Sequence, residues 1–266
     1  MTTPHETLLL LGRDHPAFGP ATVVPTGTGR SAGAISSGKH PGIPSMRHKG
    51  DIRNPNEDAL AIVEDGPRTL LVVADAHHGL EASHALIEAL LEGAQSVPAD
   101  EAALRAHVAS VSPEPANTPS RTTLTLCVVD RSTRRAFGLQ WGDSSIMSVA
   151  DDEAVRRTLP TPVYVNAESL GRTAPQRFSF ELDGIRLVIA HTDGIDECNY
   201  RSPATSIRPH HVLASADSMD WDPVHTVKDL AGLALRGVDG HPGGEDNLAV
   251  GATRVDDPDR TGDATS

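Results

Sequence analysis

Cysteine is almost missing from this chain, as are long apolar runs and any excess of basic side chains. Two cysteines in 266 residues, Cys127 and Cys198, make neither a disulfide framework nor a zinc pattern. Cys127 lies inside an apolar run, where a small buried thiol is the expected reading. The most apolar stretches, 70–74 and 185–190, fall far short of the roughly 20 residues that a membrane-spanning helix needs. The N-terminal apolar block 8–11 follows His5 and Glu6 rather than lysine or arginine, a poor secretory signal, so a cytoplasmic protein is expected. A net charge of −13 disfavours nonspecific association with nucleic acid or anionic membrane. Neither is expected as a partner, and part of the charge is available for offset by metal.

Between its ends the chain has the composition of a globular protein, without internal repeats. Residues 16–46 are rich in Gly, Pro, Ser and Thr and predict a loop with one strand near 21–24. The N-terminal segment 1–45 is therefore expected to be loop-rich, residues 46–255 to form the folded domain, and 256–266, with no apolar anchor, a disordered tail. Strand-like runs occur at 60–63, 69–74, 122–129, 136–141, 146–150, 177–182, 185–190 and 248–253. Asp65-Gly66 and Asp183-Gly184 are hairpin-type turn signals that favour antiparallel pairing of the flanking runs. Helical spacing links Leu86, Ile87, Leu90 and Leu91, then Leu104, Val108 and Val111, and later Val227, Ala231, Ala234 and Leu235. Hairpin-linked strands with grouped helices predict an α+β layered fold rather than a doubly wound parallel sheet.

Four acidic stretches stand at the ends or starts of these runs: NEDA at 56–59, VADAHHG at 73–79, HTDG at 191–194 and GGEDN at 243–247. A strand holds a side chain rigidly and its end is open, so converging strand ends can gather oxygen ligands for hard divalent cations. Taken singly, each aspartate is more simply a turn former or helix cap. Glu57 and Asp58 are adjacent, and on an extended chain they point to opposite faces, so only one of them is expected to be a direct ligand. Asp75 ends the run LLVVA with the Ala76 carbonyl beside it, Asp193 ends RLVIAHT, and Asp246 precedes the last strand.

As a set, in the order Arg53 with Glu57-Asp58, then Asp75-x-His77, Gly142-Asp143-Ser144, Thr192-Asp193-Gly194 and Asp246-Asn247, these motifs resemble the metal-dependent protein serine/threonine phosphatases of the type-2C, PPM-type family, from about residue 50 to 255. The resemblance implies a four-layer α+β sandwich, two antiparallel β-sheets flanked by α-helices, with two divalent cations, Mn or Mg, at one end. It implies that Asp75 bridges both ions with the Ala76 carbonyl on one, that Asp193 and Asp246 hold one of them, and that Glu57 and Asp58 serve the other side directly or through water. It implies that Arg53 binds phosphate with its guanidinium fork and that His77 protonates the leaving alkoxide. The chemistry implied is attack on phosphorus by a metal-activated water, with a phosphorylated protein, such as a target of a serine/threonine kinase, as partner. Asp143 is expected near a third metal or in a structural turn. Thr122 and Thr123 match a strand near the site, although β-propensity explains them equally well.

The sequence departs from the family at three places. The usual Asp-Gly-His-Gly-Gly stands here as Asp75-Ala76-His77-His78-Gly79, which narrows or stiffens a loop that glycines normally leave free. Ser145 follows Gly-Asp-Ser where arginine is usual. Residues 160–176, where the family has a mobile flap, are short and contain no aspartate, so a reduced flap is expected. The unmatched histidines His78, His191, His210, His211 and His241 read as ordinary surface. Three functions follow: hydrolysis of phosphoserine and phosphothreonine on proteins in signalling, a pseudophosphatase that binds without turnover, or a phosphatase of small phosphorylated metabolites. No motif sets an oligomeric state.

Overall fold

Apolar residues on both faces of the central strands require cover on both sides, and the chain supplies it with two sheets stacked between helices. The computed structural model describes residues 5–51, 53–92, 96–111, 113 and 118–255. The chain runs β1 (His5–Leu11), β2 (Thr22–Pro25), β3 (Ser31–Ser36), β4 (Asp58–Asp65), β5 (Arg68–His77), α1 (Glu81–Glu92), α2 (Glu101–Ser110), β6 (Arg121–Thr122), β7 (Leu124–Asp130), β8 (Arg135–Trp141), β9 (Ser145–Ala150), β10 (Ala154–Arg156), β11 (Gln176–Glu181), β12 (Ile185–His191), α3 (Asp193–Asp196), α4 (Pro209–Ser218), α5 (Pro223–Arg236) and β13 (Leu248–Arg254). The first sheet has the order β1-β4-β5-β7-β8-β11, with β6 added to β5, and the second the order β10-β9-β12-β13-β3-β2. Every pairing is antiparallel. The architecture is the expected α+β sandwich.

Alternation along β4 and β5 sorts the core. Leu60, Ile62, Leu71 and Val73 face the second sheet and pack with Ile35, Ile146, Val188 and Ala249. Ala59, Ala61, Val63, Leu70 and Val72 face outward under Leu86, Ile87, Leu90 and Leu104 of α1 and α2. On the far side, Val227, Leu230, Ala231 and Ala234 of α5 cover Ala32, Ala34, Val250 and Ala252. Each fully buried leucine or valine contributes about 1.5–3 kcal/mol. Helix starts are set locally: the Asp100 side chain accepts from the Ala103 N–H at 2.8 Å, and Asp222 caps α5 ahead of Pro223 by accepting from the His225 N–H at 2.9 Å. The two tryptophans lie apart. Trp141 is in the outer core of the first sheet, and Trp221 is in that of the second, under the Arg186 guanidinium at 5.1 Å from the ring centroid.

Two expectations are corrected. Residues 16–46 hold two strands, β2 and β3, where one was expected, and β1 lies on the other sheet, so the N-terminal segment, between its loops, extends both sheets. The small side chains of SAGAIS, which blur any alternation, are what let β3 sit fully buried beside β13. Asp183-Gly184 does not close a hairpin. Strand β11 pairs with β8 in the first sheet and β12 with β9 and β13 in the second, so the turn changes sheets, with Leu182 and Ile185 both buried in the core between them. Asp65-Gly66 does sit in a hairpin, where Asp65 pairs with Arg68. Helix α4 was not signalled by the helical spacing. The tail 256–266 lies outside the described residues.

Candidate functional site

Adjacent antiparallel strands bring the acidic stretches to one end of the sandwich. Asp58 opens β4 and pairs in register with Asp75 near the end of β5. In the second sheet, β12 ends at His191 and Asp193 begins α3 directly after it, while Asp246 lies just before β13. Gly194 permits this closeness, because a Cβ there would overlap the Asn247 carbonyl oxygen. The two sheets are joined at the site by Thr192. Its hydroxyl donates to Asp58 Oδ2 at 2.7 Å and accepts the Ala249 N–H at 2.8 Å. The Thr123 hydroxyl accepts the Asp75 N–H at 3.0 Å, and Asp75 O accepts the Thr123 N–H at 2.8 Å.

Crowding shows in the acidities. Burial, with repulsion from Asp246 and Asp193, raises the Asp58 carboxyl to about 7 against the opposing pull of Lys49 and Thr192. Burial and repulsion from Asp58 hold Asp75 well above the usual carboxylate range, and burial with repulsion from Asp75 and Asp246 does the same for Asp193. Burial also raises Asp143 and Glu197. Asp58 Oδ1, Glu57 Oε2 and Asp143 Oδ1 are buried with no hydrogen-bond partner. Carboxylates held this way accept cations readily.

One cation is already there. Lys49, whose side chain is 4% exposed, places Nζ 3.4 Å from Asp246 Oδ1 and 3.9 Å from Glu57 Oε2 and donates to Asn247 Oδ1 at 2.7 Å. Burial works against its charge, but Asp246, Asp75, Glu57 and Asp58 together keep it protonated and raise its pKa above the ordinary value. Glu57 is otherwise committed: its Oε1 accepts the N–H groups of Gly50 at 2.6 Å and Gly79 at 2.7 Å. That clamp holds the loop before β4 against the loop after β5, and a Cβ on Gly50 would press on the Gly79 backbone.

A cavity of about 770 Å³ opens over the cluster, lined by Asp143, Asp193, Asp246, Lys49, Glu197, His77, His78, Arg121, Tyr164 and Tyr200 among others. His77, at the end of β5, meets Tyr164 edge to face with centroids 5.0 Å apart, and the Tyr164 hydroxyl lies 3.4 Å from Asp143 Oδ2. The segment 160–176, expected as a reduced flap, is stitched down. Val165 and Thr122 exchange backbone hydrogen bonds at 2.8 Å, Thr161 N–H reaches Gly142 O at 2.9 Å, and Trp141 Nε1 donates to Thr173 O at 2.8 Å.

The remaining sequence-nominated residues fall as follows. Ala76 is buried inside β5 opposite Thr122, in extended backbone that needs no glycine. His78 lies just beyond with φ 64°, a left-handed conformation that a histidine adopts only at a cost. Arg53 is exposed on the loop before β4 and does not line the cavity, whereas Arg121 does. His191 is not at the surface: it is buried, its Nδ1 lies 2.9 Å from Thr192 O, and burial holds it near a pKa of about 4.

Among the described residues, one trio of His, Cys, Asp or Glu brings ligand atoms within 4.8 Å of one another, and it is His210, His211 and Asp239, not the strand-end carboxylates. That trio is poorly suited to metal. His211 Nδ1 accepts the Arg208 N–H at 3.0 Å and its Nε2 lies 3.0 Å from Asp239 Oδ2, so both ring nitrogens of the neutral imidazole are engaged. The strand-end carboxylates form a more open ring, with Asp246, Asp75 and Asp58, together with Glu57, acting on Lys49. Sequence reasoning missed Lys49, Arg121, Tyr164 and Glu197. None of the four stands in a sequence pattern, and only the fold brings them to the cavity.

No protein-family model matches the sequence, and no curated protein matches it. Solved structures do match in fold. A bacterial serine phosphatase superposes with a TM-score of 0.64 at 16% identity over 85% of this chain and 97% of its own. The PPM Ser-Thr phosphatase MsPP from Mycobacterium smegmatis, in complex with cacodylate, gives 0.59 at 20% identity over 84% and 97%. The catalytic domain of the serine threonine protein phosphatase PstP, in complex with two manganese ions, gives 0.58 at 21% identity over 85% and 98%. This chain has the fold of the PPM-type serine/threonine phosphatases.

Proposed function

We propose that the chain is a phosphoric monoester hydrolase that uses divalent cations, manganese or magnesium, to remove phosphate from serine and threonine residues of phosphorylated proteins. The observation that supports this reading is that Asp58, Asp75, Asp193 and Asp246, from two sheets, lie near enough for repulsion among them to raise the pKa values of the first three, beside a cavity that also holds His77. The donor set suits hard cations: it is all oxygen, the pKa values of Asp58, Asp75 and Asp193 are raised by burial and repulsion, and two of its buried atoms, Asp58 Oδ1 and Glu57 Oε2, accept no hydrogen bond. Asp75, Asp193, Asp246 and the Ala76 carbonyl would hold the ions, with Asp58 and Glu57 behind them. Bound there, divalent ions supply Lewis acidity to the phosphoryl oxygens and lower the pKa of water. The manganese pair of the PstP structure supports this choice of cation.

The chain's own groups supply the rest. The imidazole of His77, its ring plane set by Tyr164, holds the proton for the leaving alkoxide. The guanidinium of Arg121, on the cavity wall, is placed to bind phosphoryl oxygens. Arg53 keeps that role only if its loop folds inward with substrate. Among the described residues no helix is long and apolar enough to cross a membrane, and the cavity is open to a peptide from solvent.

One observation favours a second reading. Lys49 inside the carboxylate ring, with Arg53 outside the cavity, suits a pseudophosphatase that binds a phosphoprotein without turning it over. Manganese-dependent hydrolysis of p-nitrophenyl phosphate and of a phosphothreonine peptide, by the wild type and Asp193→Ala, separates the readings. Turnover of both substrates that disappears in Asp193→Ala is expected. No turnover by the wild type at any metal concentration would remove the enzyme reading, and turnover of small phosphate esters with an inert peptide would move the substrate class to metabolites.

A further inference from the structure

The cage around Lys49 is built for a cation. Asn247 cannot turn its amide, because its Nδ2 donates to Pro55 O at 2.8 Å, and this fixes Oδ1 toward the ammonium at 2.7 Å. Asp246 Oδ1 accepts the Asn247 N–H at 2.8 Å and so is held in place on the lysine side. Glu57, oriented by the Gly50 and Gly79 N–H groups, leaves only Oε2 free to face Nζ. These three oxygens would also face an ion held at Asp246. An ammonium and a divalent ion cannot share them, since two cations a few ångströms apart in a buried site repel strongly.

We propose that Lys49 and a divalent cation are alternative occupants of the Asp246–Glu57 side of the ring, so that a second ion loads only when the lysine side chain swings out into the cavity. The proposal rests on the reading of the ring as a divalent-cation centre. The swing involves the side chain alone. The Lys49 backbone is tied by its N–H to Met46 O at 3.4 Å, and the next residue, Gly50, is clamped to Gly79 through Glu57. Lys49 lines the open cavity, so an exit lies directly above it. The resident ammonium gives the metal-free protein a counter-ion of its own, and the second cation must displace it.

Titration of the full chain with manganese by calorimetry tests this in the wild type, Lys49→Met and Lys49→Gln. The wild type is expected to bind one ion, with a second at least tenfold weaker than in Lys49→Met, and Lys49→Gln to follow Lys49→Met. In EDTA both variants are expected to melt below the wild type, and manganese should raise their Tm more than it raises that of the wild type. Equal stoichiometry and affinity in all three proteins, or equal melting in EDTA, would overturn the proposal. The outcome is separable from the phosphatase reading: absent turnover with altered manganese binding removes only that reading, while turnover with unaltered binding removes only the role of Lys49.

Discussion

The two sheets meet the site with the same device, strand-end carboxylates, but only those of the second sheet line the cavity. In the first, Asp58 and Asp75 face each other across paired strands and are buried, with Asp58 tied to Thr192 and the Asp75 backbone to Thr123. In the second, Asp193 and Asp246 stand at the end of one strand and the start of its neighbour, and both line the cavity. The buried pair is positioned by sheet register. The cavity pair depends on a close backbone approach at Gly194 and on a cation facing Asp246. One half is therefore a base set by strand pairing and the other a rim set by a close backbone approach, and on the proposed metal reading ligand exchange would occur at the rim.

The strongest way to break this comparison is Gly194→Ala. The added methyl meets the Asn247 backbone, which cannot give as a side chain would, so a loss of about 3 kcal/mol or more is expected, read as a lowered midpoint in urea, together with loss of manganese binding. Should Gly194→Ala keep wild-type stability, the approach on the rim side is looser than described. Glu57→Ala strips the acceptor from two N–H groups on the base side and is expected to cost about 2–3 kcal/mol, with Glu57→Gln recovering most of it. Recovery by Gln distinguishes the clamp from a charge needed for metal.

Acidity sharpens the comparison further. Asp58, Asp75 and Asp193 have raised native pKa values, so between about 4 and about 7 the metal-free native state holds more protons than the unfolded chain and loses stability as pH rises. His84 and His191, held by burial near about 4, act oppositely: the unfolded chain binds more protons below about 6.5, so their contribution is lost as pH falls. In EDTA the two slopes oppose each other and Tm should change little between about pH 5 and 7. Saturating manganese keeps the carboxylates ionised and leaves the histidine slope, so Tm should fall as pH is lowered, with manganese affinity weakening below about 7. A parallel pH dependence with and without metal would contradict this. The smallest effect expected is at His78→Gly, which relieves a left-handed φ of 64° but frees the unfolded chain, for a net gain of about 0.5 kcal/mol in denaturant melts.

Residues that build periodic elements were readable. Leu86, Ile87 and Leu90, and Val227, Ala231 and Ala234, lie buried on their helices as their spacing predicts, and the strand runs around 69–74 and 185–190 became β5 and β12. Strand β2 was legible as the run at 21–24, whereas β3 was hidden because its Gly and Ser carry loop signals, while its burial comes from neighbours distant in sequence. The acidic stretches could be placed at strand ends, since a strand end is a local feature. Lys49 could not be placed in their midst, because a lysine in a Gly/Ser/Pro-rich coil has no pattern and only the fold brings it to Asp246. Arg53 shows the converse: a motif position does not by itself fix where a loop side chain points.

The placement of the two tryptophans gives each half of the sandwich its own optical reporter. Trp141, at the end of β8 in the first sheet, is buried and hydrogen-bonded at Thr173 to the segment 160–176, a strap whose Tyr164 and Asn166 line the cavity, and Trp221 is buried beside the second sheet under Arg186. With no third indole in the chain, replacing either one leaves a single emitter. Changes at the strap and at the far helical layer can then be followed by intrinsic fluorescence without attaching a dye.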